Sequence, residues 1–176
     1  MSNEENLNIV KSAIRTYENF PKEGVVFRDI FGIFQDVTAL RALKDLIVSH
    51  VSSLDVDVIV GLDSRGFLVG PIISLELGKP FLPIRKKGKL PGDVFQCSYA
   101  LEYGEAMFEI QKNNLSSGKR VLIVDDLLAT GGSMSGAIQL LKKSGATVIE
   151  CLAVIELIAL NGRAKLDAPV HSIVQY

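Results

Sequence analysis

Cysteine is scarce in this chain. Cys97 and Cys151 are the only two, and they stand apart with no metal-type spacing. A zinc knuckle and a disulfide framework are thereby excluded, and reduced thiols in a cytoplasmic protein are expected. Histidine is as sparse: His50 and His171 fall in a helical pattern and a late strand, lack the setting of a triad or metal site, and read as structural. An excess of one charge is missing too. Lys and Arg number 19 against 20 Asp and Glu, a formal net charge of −1, so no general field gathers nucleic acid or anionic lipid. No apolar run reaches the length of a membrane span before Asp, Glu or Pro breaks it. The opening "MSNEENLNIV" has neither the basic nor the apolar region of a signal peptide. A G-x-x-x-x-G-K-[ST] phosphate loop is lacking as well. Any anion site must be a local cluster.

What is present is the material of one globular domain: 176 residues, 48% of them hydrophobic, enough to bury a sizeable core. Ser2 and Glu5 form a capping box, and Leu7, Val10, Ile14 and Tyr17 follow at helical spacing. After a break at "FPKEGVVFRDIFG", a second amphipathic helix starts near Thr38, with Leu40, Leu43, Ile47, Val51 and Leu54 on one face. "VDVIVGL" is apolar enough for a strand buried on both faces. A helix from about Gly66 to Leu77 stops at Gly78, and "PFLPIRK" reads as the next strand. "FQCSYALEY" and "AMFEIQ" flank "GE" as a hairpin. "RVLIVDD" is another buried strand, followed by a helix from Ser133 that closes on Lys142, Lys143 and Gly145. "TVIECLAVIEL" and "HSIVQY" complete the strands. Alternating strands and helices predict an α/β fold, a parallel sheet with helices on both faces.

Ligands of such sheets bind beyond the carboxyl ends of the strands. Two strand ends run there into small and polar residues, "DSRG" after the first buried strand and "LLATGGS" after "RVLIVDD". Gly131 and Gly132 allow successive amides to converge on a phosphate at a helix start, with Thr130 and Ser133 adding hydroxyls. A glycine pair alone more often marks a plain turn. The carboxylates Asp125 and Asp126 change the balance, because buried charge demands a partner. Carboxylates accept from hydroxyls while amides hold phosphate, and a sugar phosphate satisfies both. Arg65 is a permanent cation suited to a diphosphate. "RKKGKLPG" concentrates Arg85, Lys86, Lys87 and Lys89. Such a bare run is more often a solvated face or targeting patch, though in a neutral chain it also offers local charge for an anionic substrate.

"VLIVDDLLATGGSM" closely resembles the PRPP motif of the type I phosphoribosyltransferase family. "FPKEGVVFRDI", "GLDSRGFLVGP", "RKKGKLPG", "YALEYGEAMFEIQK" and "VIELIALNGR" are similar, in order, to its adenine-specific branch. The resemblance covers almost the whole chain. It implies a type I fold over residues 1–176 as one domain, with a small N-terminal hood over about residues 1–35 and a hairpin and lid insertion. It implies transfer of phosphoribose from PRPP to adenine, giving AMP and pyrophosphate, with Mg2+ carried mainly by PRPP, in a cytoplasmic homodimer.

The site residues it implies fall into groups. Asp125, Asp126, Ala129, Thr130, Gly131, Gly132 and Ser133 would hold the ribose phosphate. Asp63, Ser64, Arg65, Arg85, Lys86 and Lys89 would hold pyrophosphate, with a cis peptide at the Asp63–Ser64 step and Arg85 able to cross a dimer interface. Val26, Phe27, Arg28, Leu127 and Leu157 would bind adenine. Glu102 would handle the purine N7 proton as the catalytic residue, assisted by Tyr103. The segment from about Lys87 to Tyr99 would be a lid that excludes water from a reactive sugar cation. Ser133 stands where the family often has Thr; both offer a hydroxyl. Two alternatives differ in test: another purine substrate, decided by a base panel, and a PRPP sensor without turnover, which would ordinarily carry a basic face or a DNA-binding domain.

Overall fold

The computed structural model describes residues 1–100 and 105–176. They form two compact units, Met1–Val51 and Ser52–Tyr176.

The N-terminal unit opens with α1 (Asn3–Ala13). Its capping box is formed as expected: the Ser2 hydroxyl accepts from the Glu5 amide at 3.2 Å, and the Ser2 amide donates to Glu5 at 2.7 Å. The helical spacing ran on through Ile14 to Tyr17, but the helix stops at Ala13. Ile14 is already extended and caps the end. The Ala13 carbonyl is covered closely by Gly32, where a Cβ would fall 2.0 Å from it. The chain continues as β1 (Arg15–Glu18), paired antiparallel with β2 (Val26–Asp29), so the apparent break in the sequence is a hairpin. A short α2 (Phe31–Gln35) and the longer α3 (Val37–Val51) follow. The Asp36 carboxylate accepts from the Thr38 amide at 2.8 Å, which starts α3 where the sequence placed it. Leu54 lies beyond its end at Val51.

The C-terminal unit is built on a seven-stranded sheet. Its elements are β3 (Val58–Leu62), α4 (Gly66–Leu77), β4 (Phe81–Lys86), β5 (Val94–Ala100), β6 (Glu105–Gln111), β7 (Arg120–Leu128), α5 (Gly132–Lys143), β8 (Thr147–Glu156) and β9 (Val170–Gln175). Strand order is β5-β6-β4-β3-β7-β8-β9. The five strands from β4 to β9 run parallel, while the β5–β6 hairpin adds antiparallel at one edge.

The parallel strands read as apolar runs because both faces are covered. Val58, Val60 and Leu62 of β3 join Val121 and Ile123 of β7 in a cluster with Ala137, Ile138 and Leu141 of α5. On the other face Gly61 and Gly70 leave room for the Phe81 ring, since a Cβ on either would fall under 3.0 Å from it. Fully burying each large aliphatic side chain of such a core contributes about 1.5–3 kcal/mol. Gly78, at φ 61°, ends α4.

Of the lid segment, only Lys87–Asp93 is a turn. From Val94 onward the residues belong to β5 and are paired with β6 residue by residue.

Candidate active site

The carboxyl ends of β3 and β7 border a cavity of about 410 Å³. Asp63, Ser64 and Arg65 line it from β3, and Asp125 through Met134 line it from β7 and the start of α5. The structure thus brings together the acid pair, the glycine loop and the segment Asp63–Arg65, expected to hold pyrophosphate. Gly66 allows this closeness, because a Cβ there would fall 2.6 Å from the Val124 carbonyl. The Asp63–Ser64 peptide is cis.

Electrostatics explain how two adjacent acids are tolerated. Arg65 Nε contacts Asp126 Oδ2 at 2.8 Å, and Asp126 is only 6% exposed. The Asp126 amide donates to Asp125 Oδ1 at 3.0 Å. Burial, reinforced by the charge of Asp126, pushes the Asp125 carboxyl well above the usual range. Burial also raises Asp126, while Arg65 pulls it back down. Arg65 therefore favours the charged form of Asp126, while Asp125 has burial and a like charge against it.

The loop between β7 and α5 is shaped by glycine. Gly131 adopts φ 81° and caps α5, whose first residues, Gly132 to Met134, line the cavity. Behind it sits Gly162, in a short 3-10 turn at Gly162–Lys165. A Cβ on Gly162 would fall 2.1 Å from the Ala129 carbonyl, and one on Gly131 would fall 2.5 Å from the Gly162 carbonyl. Gly162 thus forms the back wall of the Ala129–Gly131 loop. "NG" signals a turn in the sequence, but nothing there says which loop the turn will meet.

A second unforeseen neighbour is Tyr99 of β5. Its ring stacks on Phe108 with centroids 4.1 Å apart and lies against Gly136 of α5. Its hydroxyl is hydrogen-bonded to the Ser133 side chain, while burial raises its pKa.

Arg85 Nε donates to Asp63 Oδ2 at 2.8 Å, and Arg85 Nη1 donates to the Lys89 carbonyl at 3.3 Å. Its side chain is bonded within its own chain. Lys86, the last residue of β4, and Lys89, on the turn after it, are exposed.

The residues expected to bind the base are distributed between the two units. Leu127 and Leu157 are half-buried at the ends of β7 and β8. Val26, Phe27 and Arg28 lie on β2, where Phe27 meets Phe20 edge-on at 5.1 Å. An apolar cavity of about 530 Å³ there is lined by Tyr17, Phe20, Phe27, Asp29 and Phe31. Glu102 and Tyr103 lie outside the described residues.

An acid pair, an amide-lined loop and a cationic diphosphate segment in one cavity are the parts that a phosphorylated, diphosphorylated sugar requires. The family model for the phosphoribosyl transferase domain matches residues 33–174. The chain belongs to the phosphoribosyltransferase family. Relatives of this phosphoribosyltransferase match at full length. The adenine phosphoribosyltransferase of Drosophila pseudoobscura pseudoobscura is 52% identical over 178 residues, covering 100% of this chain and 98% of that one. The Homo sapiens enzyme of the same name is 48% identical over 174 residues, 97% of each chain. Among solved structures, adenine phosphoribosyltransferase from Saccharomyces cerevisiae, complexed with an imino-altritol bisphosphate and adenine, superposes with a TM-score of 0.91 at 43% identity. That match covers 97% of this chain and 99% of the yeast chain. The fold of this phosphoribosyltransferase is the type I fold, its mostly parallel sheet extended by the β5–β6 hairpin.

Proposed function

We propose that this phosphoribosyltransferase moves the 5-phosphoribosyl group from PRPP to adenine, releasing pyrophosphate and forming AMP, a purine-salvage reaction. The observation that carries the reading is the acid pair beside the glycine loop in a single cavity. Adenine as the base is supported by the relatives' names and by the adenine bound in the yeast structure.

In this mechanism the amides of Ala129–Ser133, with the hydroxyls of Thr130 and Ser133, hold the 5′-phosphate at the positive end of α5. Asp125 and Asp126 accept from the ribose hydroxyls. As the C1′–oxygen bond breaks, their charge stabilises the positive charge that grows on the ring. Asp63, Ser64, Arg65, Arg85, Lys86 and Lys89 hold the departing pyrophosphate. The base lies against Val26, Phe27, Leu127 and Leu157, with the backbone of Val26 and Arg28 reading its edge. An unmatched buried donor or acceptor is costly, which is how adenine would be told from 6-oxo purines. Glu102 handles the N7 proton while N9 attacks C1′ with inversion, through an oxocarbenium-like transition state, and Tyr103 assists.

The carboxylates lining the cavity are Asp63, Asp125 and Asp126, of which Asp63 is already held by Arg85 and Asp126 by Arg65. Magnesium would therefore be held chiefly by the diphosphate oxygens of PRPP, a setting that suits this cation. Bound there, it offsets the charge of the leaving group. The reading also includes a homodimer and a cytoplasmic location. Among the described residues no helix is long and apolar enough to cross a membrane.

The test is chromatographic assay of AMP from adenine, PRPP and magnesium, beside guanine and hypoxanthine. AMP formed much faster than GMP or IMP supports the reading. Turnover only with another base keeps the PRPP site and discards adenine. PRPP binding without any nucleotide product makes the protein a sensor.

A further inference from the structure

Glu109 is an anomaly of the sheet. It lies on β6, between β5 and β4, and is 1% exposed. Its neighbours Phe108 and Ile110 point into the core cluster, so the strand alternation puts Glu109 on the opposite face. A buried carboxylate is costly unless its oxygens are satisfied. Here the satisfaction comes from the basic turn. The amides of Lys89 and Leu90 both donate to Oε1, at 2.7 and 2.8 Å. Gln96 Nε2 donates to Oε2 at 3.2 Å. Burial opposes the charge, but these amide bonds, with one from Gly88, outweigh it and hold the carboxyl below its usual range.

The position across the sheet is as telling. Gln96 is paired with Glu109 on one side, and Arg85 is paired with it on the other. Arg85 in turn bonds the Lys89 carbonyl and the Asp63 carboxylate. Glu109 and Arg85 therefore grip the same turn, one through its amides and the other through a carbonyl. From Asp63 the chain passes directly to Ser64 and Arg65, which holds Asp126. The polar row Gln96–Glu109–Arg85–Asp63 thus runs from the hairpin to the edge of the acid pair.

We infer that Glu109 is a positioning residue for the reaction: its carboxylate fixes the Gly88–Leu90 turn so that Lys89 meets the diphosphate of PRPP. Glu109 does not touch substrate. This rests on the reading that the cavity takes PRPP, and it adds a residue to that site.

The experiment compares wild type, Glu109→Ala and Glu109→Gln as full-length protein with magnesium. It measures KM for PRPP at saturating adenine, KM for adenine at saturating PRPP, and PRPP binding by calorimetry. Losing hydrogen bonds to a charged group predicts a PRPP KM and Kd raised about tenfold in Glu109→Ala, with the adenine KM changed less than about twofold. Glu109→Gln keeps an oxygen for the two amides and restores most of the PRPP affinity. Equal rises in both KM values, an unchanged PRPP KM, or Glu109→Gln as impaired as Glu109→Ala would overturn the inference. Because Glu109→Ala removes a buried anchor and risks misfolding, amide exchange on the wild type gives a second check. The Lys89 and Leu90 amides should exchange slowly despite lying in an exposed turn, and fast exchange refutes the anchoring. If the wild type binds PRPP but makes no AMP, the proposed reaction fails while the calorimetric comparison still decides Glu109. If it binds no PRPP, both fail.

Discussion

Arg65 and Asp126, which leave the sheet on neighbouring strands, meet with Nε and Oδ2 2.8 Å apart. This contact ties the loop after β3 to the end of β7. It also divides the two acids. Asp126 has a permanent cation beside it, whereas Asp125 faces burial and a like charge.

The division carries a stability cost at neutral pH. A carboxyl whose folded pKa is raised is a burden that is absent below the unfolded value of about 3.9 and grows as pH climbs toward the folded one. Asp125→Asn removes the burden. Its melting temperature should rise by a few degrees at pH 7 and show little gain near pH 3. The same substitution should lower kcat/KM by at least about a hundredfold. Calorimetric melting across pH, beside the AMP assay, checks both; a variant less stable at pH 7 contradicts the argument.

Gly162→Ala should act on PRPP rather than on adenine. Its Cβ would fall 2.1 Å from the Ala129 carbonyl, so backbone must move. Overpacking of this kind costs about 1–3 kcal/mol. Displacement of the loop should raise the PRPP KM about tenfold or more. The ratio of the two KM values is the readout, and a uniform loss of folded protein would count against a local effect.

Glu156 and Arg163 form a paired clamp at the end of β8. Arg163 Nε and Nη2 reach the two carboxylate oxygens at 3.0 and 2.5 Å, and Ser172 adds a bond at 2.6 Å. The Arg163 hydrogen bond leads in holding Glu156 down at about 2, from 4.5. A depressed carboxyl contributes stability above its unfolded pKa and loses it as pH falls through the folded one. The contribution should therefore be complete above about pH 5 and gone near pH 2. Glu156→Gln should cost about 2 kcal/mol at pH 7, allowing for solvent screening at the exposed part of Arg163. Denaturant titrations at pH 7 and pH 3 should show the difference narrowing at the lower pH.

The thiols should differ sharply in reactivity. Cys151 is fully buried, and burial with the nearby Glu150 charge pushes it up to about 12. Cys97 is partly exposed. Since the thiolate is the nucleophile, a disulfide reagent should titrate one thiol in the native protein and the second only after unfolding. Two fast thiols in the native state would contradict the burial of Cys151.

Much of the sheet was legible because its strands declare themselves. Val58–Leu62 and Arg120–Leu128 are too apolar for any surface, and each runs straight into its polar loop. The acid pair and the glycine loop follow one another so closely in the sequence that the cavity they share could be anticipated. The N-terminal hairpin was opaque for the opposite reason: Arg15–Glu18 is exposed throughout, so no alternation marks it. Ile14 and Tyr17 kept helical spacing by coincidence, and periodicity could not register that Gly32 would cover the helix end. Glu109 sits in "AMFEIQ" like any outward-facing polar residue of a strand. Only the paired strands and the turn above it reveal a buried anion. Gly162 is similar, because its importance lies in a loop distant in sequence.

The bond between Tyr99 and Ser133 joins the hairpin edge of the sheet to the loop that opens α5. β5 and the glycine loop lie far apart in sequence, yet one pair of hydroxyls fastens them. If Ser133 meets a phosphate as proposed, that phosphate finds its hydroxyl already engaged. A shift of the loop would then be felt at β5, which ends at Ala100, just ahead of Glu102.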